Sequence, residues 1–170
     1  RTSAQNVSVD RLQLSGRNTL GICIEADSVQ RLYDEAEERQ EPLAVAVVIG
    51  IDPATALAAR TTVSLGTDKL QVAGALHGAP VQVVKCLTND IRIPAHAEIV
   101  IEGHIPPNLR EPEGPVGEAS GYYGLATRQP VLVVDAMTHR AVCGVSHHRS
   151  CCGQTTAPQL NPKGSQPSQS

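Results

Sequence analysis

Phenylalanine and tryptophan are absent from this sequence, methionine occurs once, and the ring-bearing side chains besides histidine are Tyr33, Tyr122 and Tyr123. A core without large aromatics must be built from Val, Ile, Leu and Ala, which suits a sheet rich in β-branched residues. Long apolar runs are also missing. The longest, Leu43 to Ile49, is far too short to span a bilayer, so no membrane partner is expected. A charged start followed by an apolar stretch, the mark of a signal peptide, is lacking too. The net charge of −3 is spread over scattered basic and acidic residues, which excludes a nucleic-acid footprint clustered on one face. The first residue is Arg, and the chain is expected to start inside a longer product.

What is present fits one domain. The 170 residues suffice for a real core. Five cysteines, an odd number, in a chain without an export signal point to a reducing, cytoplasmic setting. Cys23 and Cys86 lie in apolar runs and read as buried free thiols.

Arg11–Leu14 and Thr19–Ile24 flank Ser15-Gly16-Arg17-Asn18, the pattern of a β-hairpin. Asp27, with Gln30 three residues on, reads as a helix cap. The stretch from Val29 to Gln40 then reads as an exposed helix with Val29, Leu32 and Ala36 inward. Leu43–Gly50 reads as a buried strand. Asp52-Pro53 opens a short helix, and Asp68–Leu76 a second one, ended by Gly78. Val81–Leu87, Ala97–Glu102 and Val131–Met137 read as strands. The Pro-, Gly- and Glu-rich stretch from Ile105 to Gly121 reads as a loop. Strands interrupted by single helices predict an α+β domain with a largely antiparallel sheet or barrel over residues 1–140. Residues 141–170 show no hydrophobic period and are rich in polar residues and Pro, so a low-order tail is expected there.

The chemically informative segment is Glu113-Gly114-Pro115-Val116-Gly117-Glu118. Two glycines and a proline can fold the backbone so that both carboxylates face one cavity. Paired acids in one pocket push their pKa values apart, as general acid–base work requires. By spacing alone, a solvated acidic loop is the better reading.

The order of motifs decides more. Leu70–Gly78 (LQVAGALHG), Val83–Cys86 with Thr88-Asn89-Asp90, Ile93–Gly103 (IPAHAEIVIEG), Glu113–Glu118 and Gly121-Tyr122-Tyr123 follow one another. This succession closely resembles the UbiD family of prenylated-flavin-dependent decarboxylases, over about Arg1 to Arg140. The resemblance implies a split β-barrel that binds prenylated FMN, the middle portion of a longer, homo-oligomeric enzyme. It implies a small aromatic or α,β-unsaturated carboxylic acid as substrate and a flavin prenyltransferase as cofactor supplier. The cofactor carries the hard chemistry and the protein supplies position and electrostatics. Arg11, Glu113 and Glu118 match the catalytic Arg and two acids, with Glu118 the proton donor by its place in the motif. Asn6, Ser8, Val9 and Asp10 match the cofactor-binding run, Asn6 also as a ligand of the divalent metal (Mn or Mg) at the flavin phosphate.

The sequence departs from the family at that metal. The remaining ligand positions, a His and a Glu, fall on Ser28 and Lys69, and an ammonium repels a hard cation. Lys69 is therefore read as a cofactor-binding point charge against the phosphate, beside the plainer reading of a solvated helix lysine. After His139-Arg140 the resemblance stops, which raises the expectation of a truncated or frame-shifted product; another reading frame of the coding DNA would then resume the pattern. His139, Cys143, His147, His148, Cys151 and Cys152 have the residue types of zinc ligands, but their spacing follows no strong finger pattern.

Overall fold

The computed structural model describes residues 5–64, 67–117 and 121–141, together with the backbone strand 153–158. Nine strands and three helices follow in the order β1 (Gln5–Leu14), β2 (Thr19–Cys23), α1 (Asp27–Glu38), β3 (Leu43–Ile49), α2 (Pro53–Arg60), α3 (Lys69–His77), β4 (Val83–Lys85), β5 (Arg92–Pro94), β6 (Ile99–Ile105), β7 (Arg110–Glu113), β8 (Thr127–His139) and β9 (Gly153–Pro158). The expected α+β class is the observed one. Seven strands make one sheet in the order β2-β1-β9-β3-β6-β8-β7, and β2 also pairs with β8, so the sheet curls into a half-barrel. Every pairing in it is antiparallel.

The hairpin β1–β2 forms around the Ser-Gly-Arg-Asn turn and sets Arg11 opposite Cys23 and Leu12 opposite Ile22. Strand β3 separates two apolar clusters. Val45 and Val47 pack with Ile22, Leu32, Tyr33, Ala36, Ile105 and Leu132. Ala46 and Val48 pack with Cys86, Ile91, Ile93, Ala97 and Val100. Burial on both faces explains why this strand is a continuous apolar run rather than an alternating one. Tyr33, the one buried tyrosine, takes the place that Phe or Trp would fill in another core.

The caps follow the sequence, with one exception. Asp52 accepts from the Thr55 amide at 2.9 Å, and Asp68 from the Leu70 amide at 2.8 Å. Gly78 ends α3 in the left-handed region, at φ 76°, where glycine has no Cβ to clash. The N-cap of α1, in contrast, is Ala26, which makes no side-chain bond. Asp27 lies one residue inside the helix and acts through its charge near the positive helix end. At the far end of α1, Glu37 receives Arg110 through two bonds of 2.7 and 2.8 Å, the Asn108 amide at 2.8 Å and the Tyr33 hydroxyl at 2.9 Å. The Arg110 bonds above all hold the Glu37 pKa down at about 2. This clamp ties α1 to β7.

Two elements differ from the reading of the sequence. The apolar stretch from Val81 to Leu87 yields only the three-residue β4, exposed and paired with β5. Arg110–Glu113, inside the expected loop, is strand β7, which continues along β8 from where β6 leaves off. Of the expected low-order tail, Gly153–Pro158 is described, as a strand between β1 and β3. The two flanking strands offer it backbone partners on both sides. His147, His148, Cys143, Cys151 and Cys152 lie outside the described residues. His139 ends β8, its Nδ1 2.9 Å from the Arg140 carbonyl oxygen.

Candidate active site

Strand β1 carries Arg11, and β7 ends at Glu113. The Arg11 Nε donates to Glu113 Oε1 at 3.1 Å and an Arg11 terminal nitrogen donates to Oε2 at 3.2 Å. Two parallel N–H···O bonds match a planar guanidinium to a planar carboxylate. Glu113 is only 3% exposed, whereas the Arg11 side chain is 39% exposed. The carboxylate is therefore a buried acceptor and the guanidinium faces partly outward, with further N–H donors available. The bond to Glu113 raises the Arg11 pKa. Cys23, opposite Arg11 on β2, is half-buried; burial raises its pKa while the Arg11 charge opposes the rise.

The loop after Glu113 is anchored at both ends. Gln13, two residues beyond Arg11 on the same strand, accepts from the Gly114 amide at 3.1 Å. Gly114 adopts φ 98°, and a Cβ there would meet the Val116 nitrogen at 3.3 Å and the Ala126 Cα at 3.4 Å. Gly117 bridges Tyr123, and the Gly124 amide donates to the Val116 carbonyl at 2.9 Å. Glu118 lies outside the described residues, between these anchors. Of the three expected catalytic residues, Arg11 and Glu113 are thus brought together. Gln13 went unnoticed in the sequence; its signal was the two-residue spacing from Arg11, which sets both on one side of a strand.

Strand β1 also borders a cleft of about 470 Å³, lined by Asn6, Ser8, Val9, Ser28, Ala59 and Lys69 among others. Four of the five residues expected to bind cofactor, Asn6, Ser8, Val9 and Lys69, therefore share one cavity. The fifth, Asp10, is not in its lining. Its carboxylate accepts from the Ser8 hydroxyl and, at 3.0 Å, from the Glu25 amide. Asp10 thus fixes the Ser8 side chain and the start of the β2–α1 connection. Asn6 is 8% exposed, and its carboxamide has no partner among the described residues. Buried amides without partners are rare in folded proteins and mark a place where a ligand or ordered water belongs.

Lys69 is not the solvated helix lysine of the plainer reading. It is 7% exposed, and its Nζ donates to the Ala59 carbonyl at 2.8 Å, in the last turn of α2. Burial lowers its pKa, and the nearby Asp10 charge opposes the shift. The residues at this end of the cleft fit a phosphate: an amide, hydroxyls and a cation. They do not fit a divalent metal. A lysine and a serine stand where the resemblance would put a carboxylate and an imidazole, and the described residues contain no group of three His, Cys, Asp or Glu side chains able to hold a metal ion.

A further buried carboxylate belongs to the scaffold. Glu102 accepts from the Leu87 amide at 3.0 Å and from the Thr88 amide and hydroxyl, both at 2.7 Å. Burial works to raise its pKa, but these three donors together lower it. It ties the turn after β4 to β6.

The curled antiparallel sheet with three helices thus carries an Arg–Glu fork and a polar cleft along one strand. The chain matches the model of the UbiD family, the 3-octaprenyl-4-hydroxybenzoate carboxy-lyase Rift-related domain, over residues 1–150, and it belongs to that family. The match runs ten residues further than the boundary read from the sequence at Arg140. Among solved structures, an evolved dimeric form of the UbiD-class enzyme HmfF from Pelotomaculum thermopropionicum, in complex with prFMN, is 47% identical. It superposes with a TM-score of 0.78 over 81% of this chain and 32% of its own. The closed form of the Sedimentibacter hydroxybenzoicus vanillic acid decarboxylase is 31% identical, with a TM-score of 0.75 over 82% of this chain and 33% of its own. The apo 3,4-dihydroxybenzoic acid decarboxylase of Klebsiella pneumoniae is 33% identical, with a TM-score of 0.70 over 79% of this chain and 30% of its own. The chain thus spans about a third of the length of the structures it matches. No helix among the described residues is long and apolar enough to cross a membrane.

Proposed function

We propose that this chain is the cofactor-binding domain of a UbiD-class carboxy-lyase. Its reaction is the reversible release of carbon dioxide from an aromatic or α,β-unsaturated carboxylic acid, with prenylated FMN from a flavin prenyltransferase. The observation that carries this reading is the buried fork between Arg11 and Glu113, on the strand that also lines the polar cleft.

When bound, prenylated FMN supplies the carbon centre that joins the substrate and the electron sink that lets its carboxylate leave. Asn6, Ser8 and Val9 would hold it along β1. Arg11 stays cationic throughout, because its bond to Glu113 disfavours proton loss, and its outward N–H donors suit a substrate carboxylate. The carbon–carboxylate bond breaks with its electron pair left on carbon, and carbon dioxide departs. A proton from a carboxylic acid then completes the product at that carbon. Glu118 is assigned that donation by its place in the motif, and Glu113, with Arg11, holds the charge balance of the site. A carboxylic acid donor and a carboxylate partnered by Arg divide the acid and base roles.

Co-expression with a flavin prenyltransferase, followed by flavin spectra and carbon dioxide release from a panel of unsaturated and aromatic acids, tests the proposal. Bound cofactor with turnover that Glu113→Gln abolishes supports it. Bound cofactor without turnover supports a second reading, a flavin-binding domain without activity, which the buried Lys69 in the cleft favours. Neither cofactor nor turnover overturns both.

A further inference from the structure

The cleft beside β1 has a floor and a rim of different character. On the floor are Asn6, Ser8 and Lys69, all buried. The Ser8 hydroxyl is engaged by Asp10. The Asn6 carboxamide has no partner among the described residues, and the Lys69 ammonium has a single acceptor, the neutral Ala59 carbonyl. On the rim, Arg31, Arg60, Glu25 and Asp27 are exposed, where solvent screens their charges. A lysine has three N–H donors, so the buried ammonium retains donating capacity. A buried charge without a counter-ion is costly, and Asp10 forms no ion pair with it within the described residues.

We infer that this cleft takes the phosphate monoester of a flavin mononucleotide directly on Lys69 and the Asn6 carboxamide, with the ammonium in the place of a divalent metal. This rests on reading the cleft as a flavin site. Three features argue for it together. The cation is fixed by the Ala59 carbonyl, so little side-chain freedom remains to be lost on binding. The floor has no described carboxylate to coordinate a metal: Asp10 lies outside the cleft lining, and Glu25 and Asp27 are on the exposed rim. A dianion would supply the missing counter-charge to Lys69 and an acceptor for the unpaired Asn6 amide at once.

The test uses the full chain, washed with chelator and titrated with FMN, riboflavin and inorganic phosphate, with and without Mn²⁺. Flavin fluorescence follows flavin binding, calorimetry follows phosphate, and electron paramagnetic resonance follows Mn²⁺. The expected result is FMN affinity that changes by less than about twofold on adding Mn²⁺, riboflavin affinity at least about tenfold weaker, and competition by phosphate. The Mn²⁺ signal should remain that of the free ion. Lys69→Met should weaken FMN by about tenfold or more and leave riboflavin unchanged, and Lys69→Glu should make FMN binding depend on Mn²⁺. Loss of FMN on chelation with recovery on Mn²⁺ overturns the inference and leaves the flavin reading standing. So does a folded Lys69→Met protein, checked by circular dichroism, that binds FMN like the parent. If the variants do not fold, the parent's own comparisons of FMN with riboflavin and with and without Mn²⁺ decide. Failure to bind FMN under any condition overturns the inference and the flavin reading alike.

Discussion

Arg11 and Glu113, 102 residues apart in the chain, meet in a two-bond fork of 3.1 and 3.2 Å. The fork joins the first strand of the curled sheet to the end of β7. The carboxylate is buried and the guanidinium partly open, which makes the two ends unequal in what their removal does.

Removing Arg11 leaves a buried carboxylate without its cation, whereas removing Glu113 leaves a guanidinium that water reaches. Arg11→Met is therefore expected to lower stability by about 2–4 kcal/mol and Glu113→Gln by about half as much. Urea denaturation of both variants at neutral pH checks this; equal losses would show that the asymmetry has no weight. On carbon dioxide release, each is expected to cost about two to four orders of magnitude.

Glu37 gives a pH dependence whose sign is fixed. Its pKa falls from 4.5 to about 2 in the fold, with the Arg110 bonds the largest cause. The unfolded chain therefore binds a proton at higher pH than the folded one. The clamp's contribution is complete above pH 4.5 and is lost as pH falls towards 2. Thermal melts between these limits should show a falling Tm in the parent. Arg110→Gln should already be less stable at neutral pH, by about 1 kcal/mol for a partly exposed pair, and should show a shallower acid dependence.

Gly103 sits at a register shift between β6 and β8, where an added Cβ would lie 2.1 Å from the Val133 carbonyl oxygen. Backbone cannot yield as a side-chain tip does, so Gly103→Ala is expected to cost about 3 kcal/mol. Gly78 has open space around its Cβ position but a φ of +76°, so Gly78→Ala should cost only about 1 kcal/mol. Chemical denaturation of the pair separates steric crowding from backbone strain; equal costs would refute the distinction.

Cys86 is buried in the core cluster around Ala46 and Val48, and burial pushes its pKa up to about 12. Cys23 is half-buried and its rise is opposed by Arg11. With thiolate the reactive form, iodoacetamide at pH 8 followed by peptide mapping should label Cys23 well before Cys86. Labelling in urea should remove the difference.

Local signals in the sequence were read correctly where the chemistry is local. Asp52, Asp68 and Gly78 act where their residue types act in any helix, and the turn around Gly16 makes its hairpin. Asp27 misled because an alanine, with no side chain to cap, occupies the true cap position. Strand β7 went unread because Arg-Glu-Pro-Glu has no strand-like pattern; its pairing with β8 and the Glu37 clamp hold it there. The Arg11–Glu113 contact is not encoded in any spacing and entered through the family resemblance alone. The burial of Lys69 was likewise invisible, since it depends on how α2 and α3 pack rather than on the helix that carries the residue.

Strand β1 holds Asn6 near one end and Arg11 towards the other. Five steps of extended chain at ~3.3 Å each hold the two about 16 Å apart, a distance fixed by covalent geometry rather than by loop flexibility. An odd number of steps turns the two side chains to opposite faces of β1, so Asn6 in the cleft and Arg11 in its fork with Glu113 are presented on different sides of one strand. Slipping β1 by one residue against β2 would exchange those faces, so the pairing of Arg11 with Cys23 fixes which side of the strand carries the guanidinium.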